Sequence, residues 1–220
     1  MVESLCIVAR IMSVEAVILF VIKLVCLGFS IILHEIAHGY AAYKMGDPTA
    51  AYSNRLTLNP IAHIDLFGSI ILPVILIVTG SPVLLGWAKP VPINPYYFRD
   101  LKKGIMITGG AGPLANFILA LAAGLLFHLV APFSEVVGWF LAYFCATNVA
   151  LGVFNLIPIP PLDGSRVLYG LLPRGMDDRY LSIERYGMFI LFALLWVGVL
   201  DRIIYPISMF ILHLLLGAHI

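Results

Sequence analysis

The sequence predicts an all-α polytopic membrane protein with about five to six transmembrane helices and a re-entrant or extended membrane-associated loop. The 220 residues are 61% hydrophobic and only 11% charged, and their mean hydropathy is +1.02. Water-soluble globular domains do not reach these values. The apolar stretches are continuous and do not alternate with polar residues, which favours helices over strands.

The apolar stretches that predict these helices cover residues 14–33, 66–80, 104–131, 136–157, 183–200 and 203–217. A straight helix needs about 20 residues to span a bilayer. The stretch 66–80 is short by this measure, and it is followed by a segment that contains glycine and proline. We therefore expect the region 66–98 to enter the membrane and return, or not to cross it.

The first apolar stretch continues into SIILHEIAHGY at residues 30–40, which contains two histidines and a glutamate. His34 and His38 are four residues apart, so on a helix they point about 40° from each other and lie about 6 Å apart along the axis. Both imidazoles can reach one metal ion, and Glu35 lies beside it, where a carboxylate can accept a proton from water. The alternative is that neighbouring groups satisfy these side chains, but three ionisable groups are costly in hydrocarbon and favour a metal site.

Two histidines leave zinc short of a third protein ligand. The strongest candidate is Asp163 in NLIPIPPLDGSR, residues 155–166, which follows the apolar stretch 136–157. Its prolines stop the helix, and Gly164 permits a sharp turn after the aspartate. Broken backbone at membrane depth is tolerated only where protein or a water-filled cavity surrounds it. Asp163 is otherwise a turn residue or a helix cap, but beside a site that lacks a ligand we expect it to bind zinc.

Two asparagines are further candidates for the site. Asn155 directly precedes the proline-rich segment, so it either donates a hydrogen bond to a developing oxyanion, a contact that can contribute about 3 kcal/mol, or bonds the broken backbone. Asn116 ends GGAGPLAN, residues 109–116, whose small residues let helices approach closely. It is either a hydrogen-bonding group between helices or a second oxyanion or substrate-binding residue.

These motifs together resemble the site-2 protease family of intramembrane zinc metalloproteases. HEIAH is followed, in the family's order, by NPIAH at 59–63, GWAKPVPINP at 86–95, GGAGPLAN at 109–116 and NLIPIPPLDG at 155–164. HExxH alone is not specific, whereas this combination is. The resemblance implies that His34, His38 and Asp163 bind zinc and that Glu35 is the general base. By the same resemblance His63 approaches the site, as a supporting or loop histidine rather than a ligand.

The resemblance implies an intramembrane zinc endopeptidase that cleaves the membrane-embedded helix of a single-span membrane protein. We expect the small, core-only branch, without a PDZ module or CBS domains. The expected parts are an N-terminal tail (1–13), a metalloprotease core with the zinc site (14–166) and a C-terminal membrane hairpin (167–220). The alternative function is a membrane transporter or channel that uses the buried polar residues as an ion or proton path.

The proline-rich segment 86–95 has two interpretations under this function. A substrate helix must unwind before a peptide bond can reach the metal, and strand addition to an extended edge would hold the unwound form. The plainer interpretation is an ordered surface loop.

The metal ligands also predict the topology in the cell membrane. If 66–80 crossed completely, His38 and Asp163 would lie on opposite faces, up to about 30 Å apart, and one ion could not bind both. We expect most cations on the side of the site: Lys44, Arg55, Lys89, Arg99, Lys102, Lys103, Arg166, Arg174, Arg179 and Arg185. Arg10 and Arg202 are expected to flank the other side. The positive-inside rule then predicts an external N-terminus and a site open toward the cytoplasm.

The net charge of +1 gives no reason to expect nucleic acid as a partner.

Overall fold

The computed structural model describes residues 14–78, 88–173 and 177–217, so the expected tail 1–13 lies outside the described residues. Within the described ranges, helix is the only regular secondary structure, as the sequence predicts. The α-helices are α1 (Val14–Met45), α2 (Thr49–Tyr52), α3 (Leu72–Val78), α4 (Leu101–Val130), α5 (Glu135–Asn155), α6 (Asp163–Leu171), α7 (Asp177–Trp196) and α8 (Val199–Leu216). Two 3₁₀ turns, Pro60–His63 and Pro95–Tyr97, and a π-helical segment, Leu66–Ile71, complete the elements.

Four of the described helices, α1, α4, α5 and α8, are long and apolar enough to cross a membrane. The sequence predicts five to six, and two stretches account for the difference. The π-helical segment and α3 have six and seven residues, about 20 Å in total, which is short of the roughly 30 Å hydrocarbon core. The first half of α7 contains five charged residues: Asp177, Asp178, Arg179, Glu184 and Arg185. The protein is therefore a multi-pass membrane protein with four described candidate spans.

The chain between α1 and α4 leaves and returns at the same end of the helix bundle. The Arg99 N–H donates to the carbonyl of Met45 across 3.4 Å, and the Asn94 N–H donates to Asp47 Oδ2 across 2.6 Å. Asp47 is fully buried, so this loop is tied firmly to the end of α1. These contacts agree with the prediction that the region 66–98 does not make one complete crossing.

Helices α4, α5 and α8 share an apolar core, formed by Ala120, Ala123, Cys145, Val149, Val153, Leu212 and Leu216. Near the end of α4, His128 Nε2 lies 2.8 Å from the carbonyl of Leu215. Gly124 allows this close packing, because a Cβ there would lie only 3.1 Å from the same carbonyl oxygen. The C-terminal ends of α4 and α8 therefore lie side by side.

The start of α8 lies at the opposite end of the bundle. Leu200 packs with Leu162 and with Leu191 of α7, and Gly198, with φ of +74°, forms the left-handed turn that joins the two helices. Helix α7 packs along the connection between α5 and α6, because the Tyr180 hydroxyl donates to the Pro158 carbonyl across 3.0 Å and a Cβ on Gly187 would meet Pro160. Arg202 in the first turn of α8 therefore lies on the side of Leu162. The expectation that Arg202 flanks the other side is therefore wrong.

Helix α6 packs closely on α4 and on the end of α5 because two glycines leave room for it. A Cβ on Gly109 would lie 2.6 Å from Arg166 Cβ, and a Cβ on Gly164 would meet the carbonyl oxygen of Leu156. Gly164 is the second residue of α6 and has no positive φ. Its contribution is close packing rather than the sharp turn that the sequence suggests, and the turn itself falls within residues 156–162.

Candidate metal centre

Three polar side chains from α1 and α6 converge inside the protein. His34 Nε2 and His38 Nε2 are 2.9 Å apart, and Asp163 Oδ2 lies 3.0 Å from the first and 3.1 Å from the second. The three residues are 7%, 4% and 8% exposed. Among the residues that the structure describes, this is the one group of three or more His, Cys, Asp or Glu side chains whose ligand atoms converge. These are the three residues that the sequence predicts as metal ligands.

The other ring nitrogen of each histidine is bonded to α4. His34 Nδ1 lies 2.6 Å from Asn116 Oδ1, and His38 Nδ1 lies 2.6 Å from the carbonyl of Thr108. A carbonyl oxygen can only accept, so each Nδ1 carries the proton and each neutral ring has its lone pair on Nε2. Metal-binding histidines show this arrangement, because the outer hydrogen bond orients the ring and sets its tautomer.

The donor set and the space around it fit a zinc ion. Two facing lone pairs and a carboxylate at 2.9–3.1 Å repel one another unless a positive charge lies among them. Tetrahedral zinc with bonds of about 2.0–2.1 Å keeps its ligand atoms about 3.3 Å apart, close to these separations. Gly112 of α4 leaves the adjoining space open, because a Cβ there would lie 2.6 Å from His34 Nε2 and would also touch His38 Nε2.

The Asp163 carboxylate is charged at neutral pH. Burial alone would raise its pKa, but the hydrogen bonds and positive charge of His34 and His38, when these rings are protonated, outweigh burial and hold the pKa of Asp163 well below its usual range. The centre therefore offers a cation one negative charge and two imidazole lone pairs.

Glu35 is not one of the three convergent donors, and its carboxylate contacts the extended segment 88–94. Its Oε2 accepts a hydrogen bond of 2.8 Å from the N–H of Val91. Gly39 lets this segment approach α1, because a Cβ there would lie 2.8 Å from Val91 Cγ1. The proline-rich segment thus runs beside the predicted general base, and strand addition by a substrate stays a prediction.

His63 supports the same segment rather than the metal centre. Its Nε2 lies 2.9 Å from the carbonyl of Thr57, and its own carbonyl accepts a hydrogen bond of 2.9 Å from the N–H of Lys89. Arg55 Nη2 donates to the carbonyl of Lys89 across 2.6 Å. His63 is buried but lies outside the convergent donor group, so its place agrees with a supporting histidine.

The two asparagines have different surroundings. Both ends of the Asn116 amide are used, because Oδ1 faces His34 and Nδ2 donates to Asn148 Oδ1 across 2.9 Å. Asn155 is the last residue of α5, and its Nδ2 donates to the carbonyl of Leu151 in the same helix across 3.0 Å. The contacts of Asn116 favour a role in holding His34, and the oxyanion role of Asn155 stays a prediction.

Sequence reasoning missed three participants: Thr108, Gly112 and Asn148. Asn148 is fully buried within an apolar helix, and the cost of a polar group in hydrocarbon, which identified His34, is a signal that could have found it. Thr108 acts through its backbone carbonyl, and Gly112 acts through the absence of a side chain. Residue type alone gives no signal for either.

A cavity of about 270 Å³ opens beside the centre, which is near the lower limit of about 300 Å³ for typical ligand sites. Its walls include Thr108, whose carbonyl holds His38, and Ser165, two residues after Asp163. Tyr180 also lines it, and burial raises the pKa of its phenol. The cavity therefore lies next to residues that adjoin the centre.

The described fold and centre define a class: a multi-pass α-helical membrane protein with a buried cluster of two histidines and one carboxylate, a set typical of catalytic zinc. Comparison with known proteins supports this class. The profile of Peptidase family M50 matches residues 132–198. "Putative zinc metalloprotease YwhC" of Bacillus subtilis is 39% identical over 176 residues, which cover 76% of this chain and 76% of that protein.

Two further relatives extend the comparison. "Putative zinc metalloprotease Rip2" of Mycolicibacterium smegmatis is 32% identical over 79% of this chain and 66% of its own length. "Zinc metalloprotease MJ0392" of Methanocaldococcus jannaschii is 28% identical over 71% of this chain and 36% of its own length. No solved structure gives a significant match. The chain belongs to Peptidase family M50, the site-2 protease family, and is a zinc metalloprotease.

Gly112→Ala should lower the zinc content of the purified protein by at least ten-fold, because the new methyl group fills the space in front of both Nε2 atoms. Gly110→Ala is the matched control, since its Cβ would make an ordinary contact of 3.6 Å with Val167 Cγ2. Metal analysis of the two variants, with circular dichroism to verify the helical content, makes the measurement. Full zinc content in Gly112→Ala would show that the ion does not bind in this space.

Proposed function

We propose that this zinc metalloprotease is an intramembrane endopeptidase that cleaves transmembrane segments of single-span membrane proteins. In this proposal His34, His38 and Asp163 bind the zinc ion and Glu35 is the general base. The observation that carries the proposal is the convergence of the three donor atoms at 2.9–3.1 Å. Two of the donors project from α1, which is long and apolar enough to cross the membrane.

The chemistry divides between the ion and the side chains around it. Bound zinc supplies a Lewis acid that polarises water and the scissile carbonyl. Glu35 accepts the proton of the attacking water and later donates it to the leaving amine. The Val91 N–H bonds one oxygen of this carboxylate, which restrains its direction. Asn155 is the proposed donor to the developing oxyanion.

The substrate reaches the centre in an unwound form. A helical peptide has its carbonyl and N–H groups bonded within the helix, so the scissile bond is exposed only after local unwinding. The cavity beside Thr108 and Ser165 and the extended segment 88–94 beside Glu35 provide a path for an extended chain. The segment 88–94 can pair with that chain through its backbone.

We further propose that the site opens toward the cytoplasm. Nine described cations lie at the end of the bundle that carries Asp163, whereas Lys23 lies eleven residues before His34 in α1. The nine are Lys44, Arg55, Lys89, Arg99, Lys102, Lys103, Arg166, Arg185 and Arg202. The connection between α4 and α5 at the opposite end, residues 131–134, contains no lysine or arginine. Short cytoplasmic loops carry such an excess of positive charge, and this asymmetry supports the orientation.

Glu35→Gln should retain one zinc ion per chain and lose proteolysis by at least about 100-fold, because the amide cannot accept a proton. Purified protein in detergent, tested on a panel of single-span substrates and examined by metal analysis, makes the measurement. Glu135→Gln, at the exposed start of α5, is the matched control and should cleave normally. Near-normal cleavage by Glu35→Gln would reject Glu35 as the base, and failure of the wild-type protein to cleave any membrane-embedded segment would weaken the proposed substrate class.

Single cysteines in a cysteine-free background test the orientation. Arg99→Cys, at the site end, should react with an impermeant thiol reagent only from the cytoplasmic face. Phe133→Cys, which replaces a residue that is 90% exposed in the α4–α5 connection, should react only from the external face. The reversed pattern would contradict the cytoplasmic opening, and reaction of both cysteines from one face would contradict the four-span arrangement.

A further inference from the structure

A chain of hydrogen bonds leads from His34 into the apolar interior of the bundle. Asn116 Oδ1 lies 2.6 Å from His34 Nδ1, and Asn116 Nδ2 donates to Asn148 Oδ1 across 2.9 Å. Asn148 Nδ2 donates to Ser30 Oγ across 2.9 Å, and the Ser30 hydroxyl donates to the carbonyl of Cys26 across 2.8 Å. Asn116, Asn148 and Ser30 are 0% exposed. The chain joins α1, α4 and α5 without any contact with water.

Only one direction of donation satisfies every group in this chain. The carbonyls of Cys26 and Phe144 can accept but not donate. Asn148 Nδ2 lies 2.9 Å from the Phe144 carbonyl as well as from Ser30 Oγ, so the amide group at this end must be the NH₂. The oxygen of Asn148 then faces Asn116, whose facing group must also be NH₂. The oxygen of Asn116 is therefore turned toward His34.

We propose that Asn148 is a positioning residue that sets the tautomer of His34 through Asn116. Asn116 presents only an acceptor to Nδ1, so the proton of His34 stays on Nδ1 and the lone pair of Nε2 faces His38 and Asp163. If the Asn116 amide were free to turn over, its NH₂ would face Nδ1, and the ring proton would move to Nε2 and block the metal. This inference rests on the proposed zinc site.

The burial of the chain makes this control effective. In a low-dielectric interior an unpaired donor or acceptor is costly, so one reversed amide would leave several groups unsatisfied. The backbone carbonyls of Cys26 and Phe144 at the end of the chain can act only as acceptors. Backbone carbonyls of α1 and α5 thus fix the orientation of the Asn148 amide. This amide fixes the orientation of Asn116 in α4, and Asn116 fixes the tautomer of His34.

The test measures the zinc affinity of the purified full-length protein by competition with a chelator. Asn148→Leu removes the acceptor for Asn116 and should weaken zinc binding by about 10- to 100-fold. Asn148→Asp, protonated at this buried position, keeps an oxygen for Asn116 and a hydroxyl for Phe144 and should bind within about three-fold of wild type. Thr147→Val, which removes only a bond to the Tyr143 carbonyl within α5, is the matched control and should bind normally.

Thermal unfolding of the zinc-free variants separates positioning from structural support. Val149→Ala shortens a fully buried side chain of the same helix but leaves the hydrogen-bond chain intact, so it should lower the unfolding temperature and still bind zinc within about three-fold of wild type. If Asn148→Leu does not fold, Asn148→Ala serves in the same comparison. Zinc affinities that follow the order of stability, or that do not change, would overturn the positioning role.

His34→Ala distinguishes a failure of the positioning role from a failure of the proposed zinc site. If this variant loses zinc while Asn148→Leu binds like wild type, the positioning role fails and the proposed zinc site stands. If His34→Ala binds zinc like wild type, the proposed site and the positioning role both fail.

Discussion

The need to pair buried polar groups in an apolar environment governs how this protein is assembled. His34 and His38 lie on a helix that is apolar enough to span a membrane, and each ring nitrogen faces a partner from another element or a fellow donor. Those partners come from α4 and α6, so satisfying two histidines brings these helices to one point. Gly109 and Gly112 allow the approach, because side chains at these positions would collide with α6 or with the imidazoles.

The irregular backbone of the protein places its reactive groups. The proline-containing connection between α5 and α6 ends at Leu162, and α6 begins at Asp163, so the carboxylate reaches the histidines instead of continuing along α5. The loop between α1 and α4 lays residues 88–94 against α1, where the Val91 N–H bonds Glu35. Rigid helices thus hold the three donors, while extended backbone contacts the predicted base and lies where an unwound substrate can bind.

The sequence predicts the parts of this arrangement that depend on the cost of polar groups in hydrocarbon. His34, His38 and Asp163 are recognisable because ionisable residues in apolar stretches need partners and because their spacing suits one ion. Asn148 gives the same kind of signal, although weaker because an amide is cheaper to bury than a charge. The Thr108 carbonyl and the empty space at Gly112 depend on how helices pack, which residue type does not specify. The sequence places Arg202 on the wrong side of the membrane because part of α7 is apolar enough to resemble a membrane span. In the structure α7 stays at one end of the bundle.

The proposed mechanism requires one zinc ion among His34, His38 and Asp163. Anomalous diffraction at the zinc absorption edge, from crystals of the catalytically active protein, locates the ion directly. A single strong peak is expected within about 2.0–2.2 Å of His34 Nε2, His38 Nε2 and one oxygen of Asp163. A peak coordinated by other residues, or an active protein with no anomalous peak at this position, would contradict it.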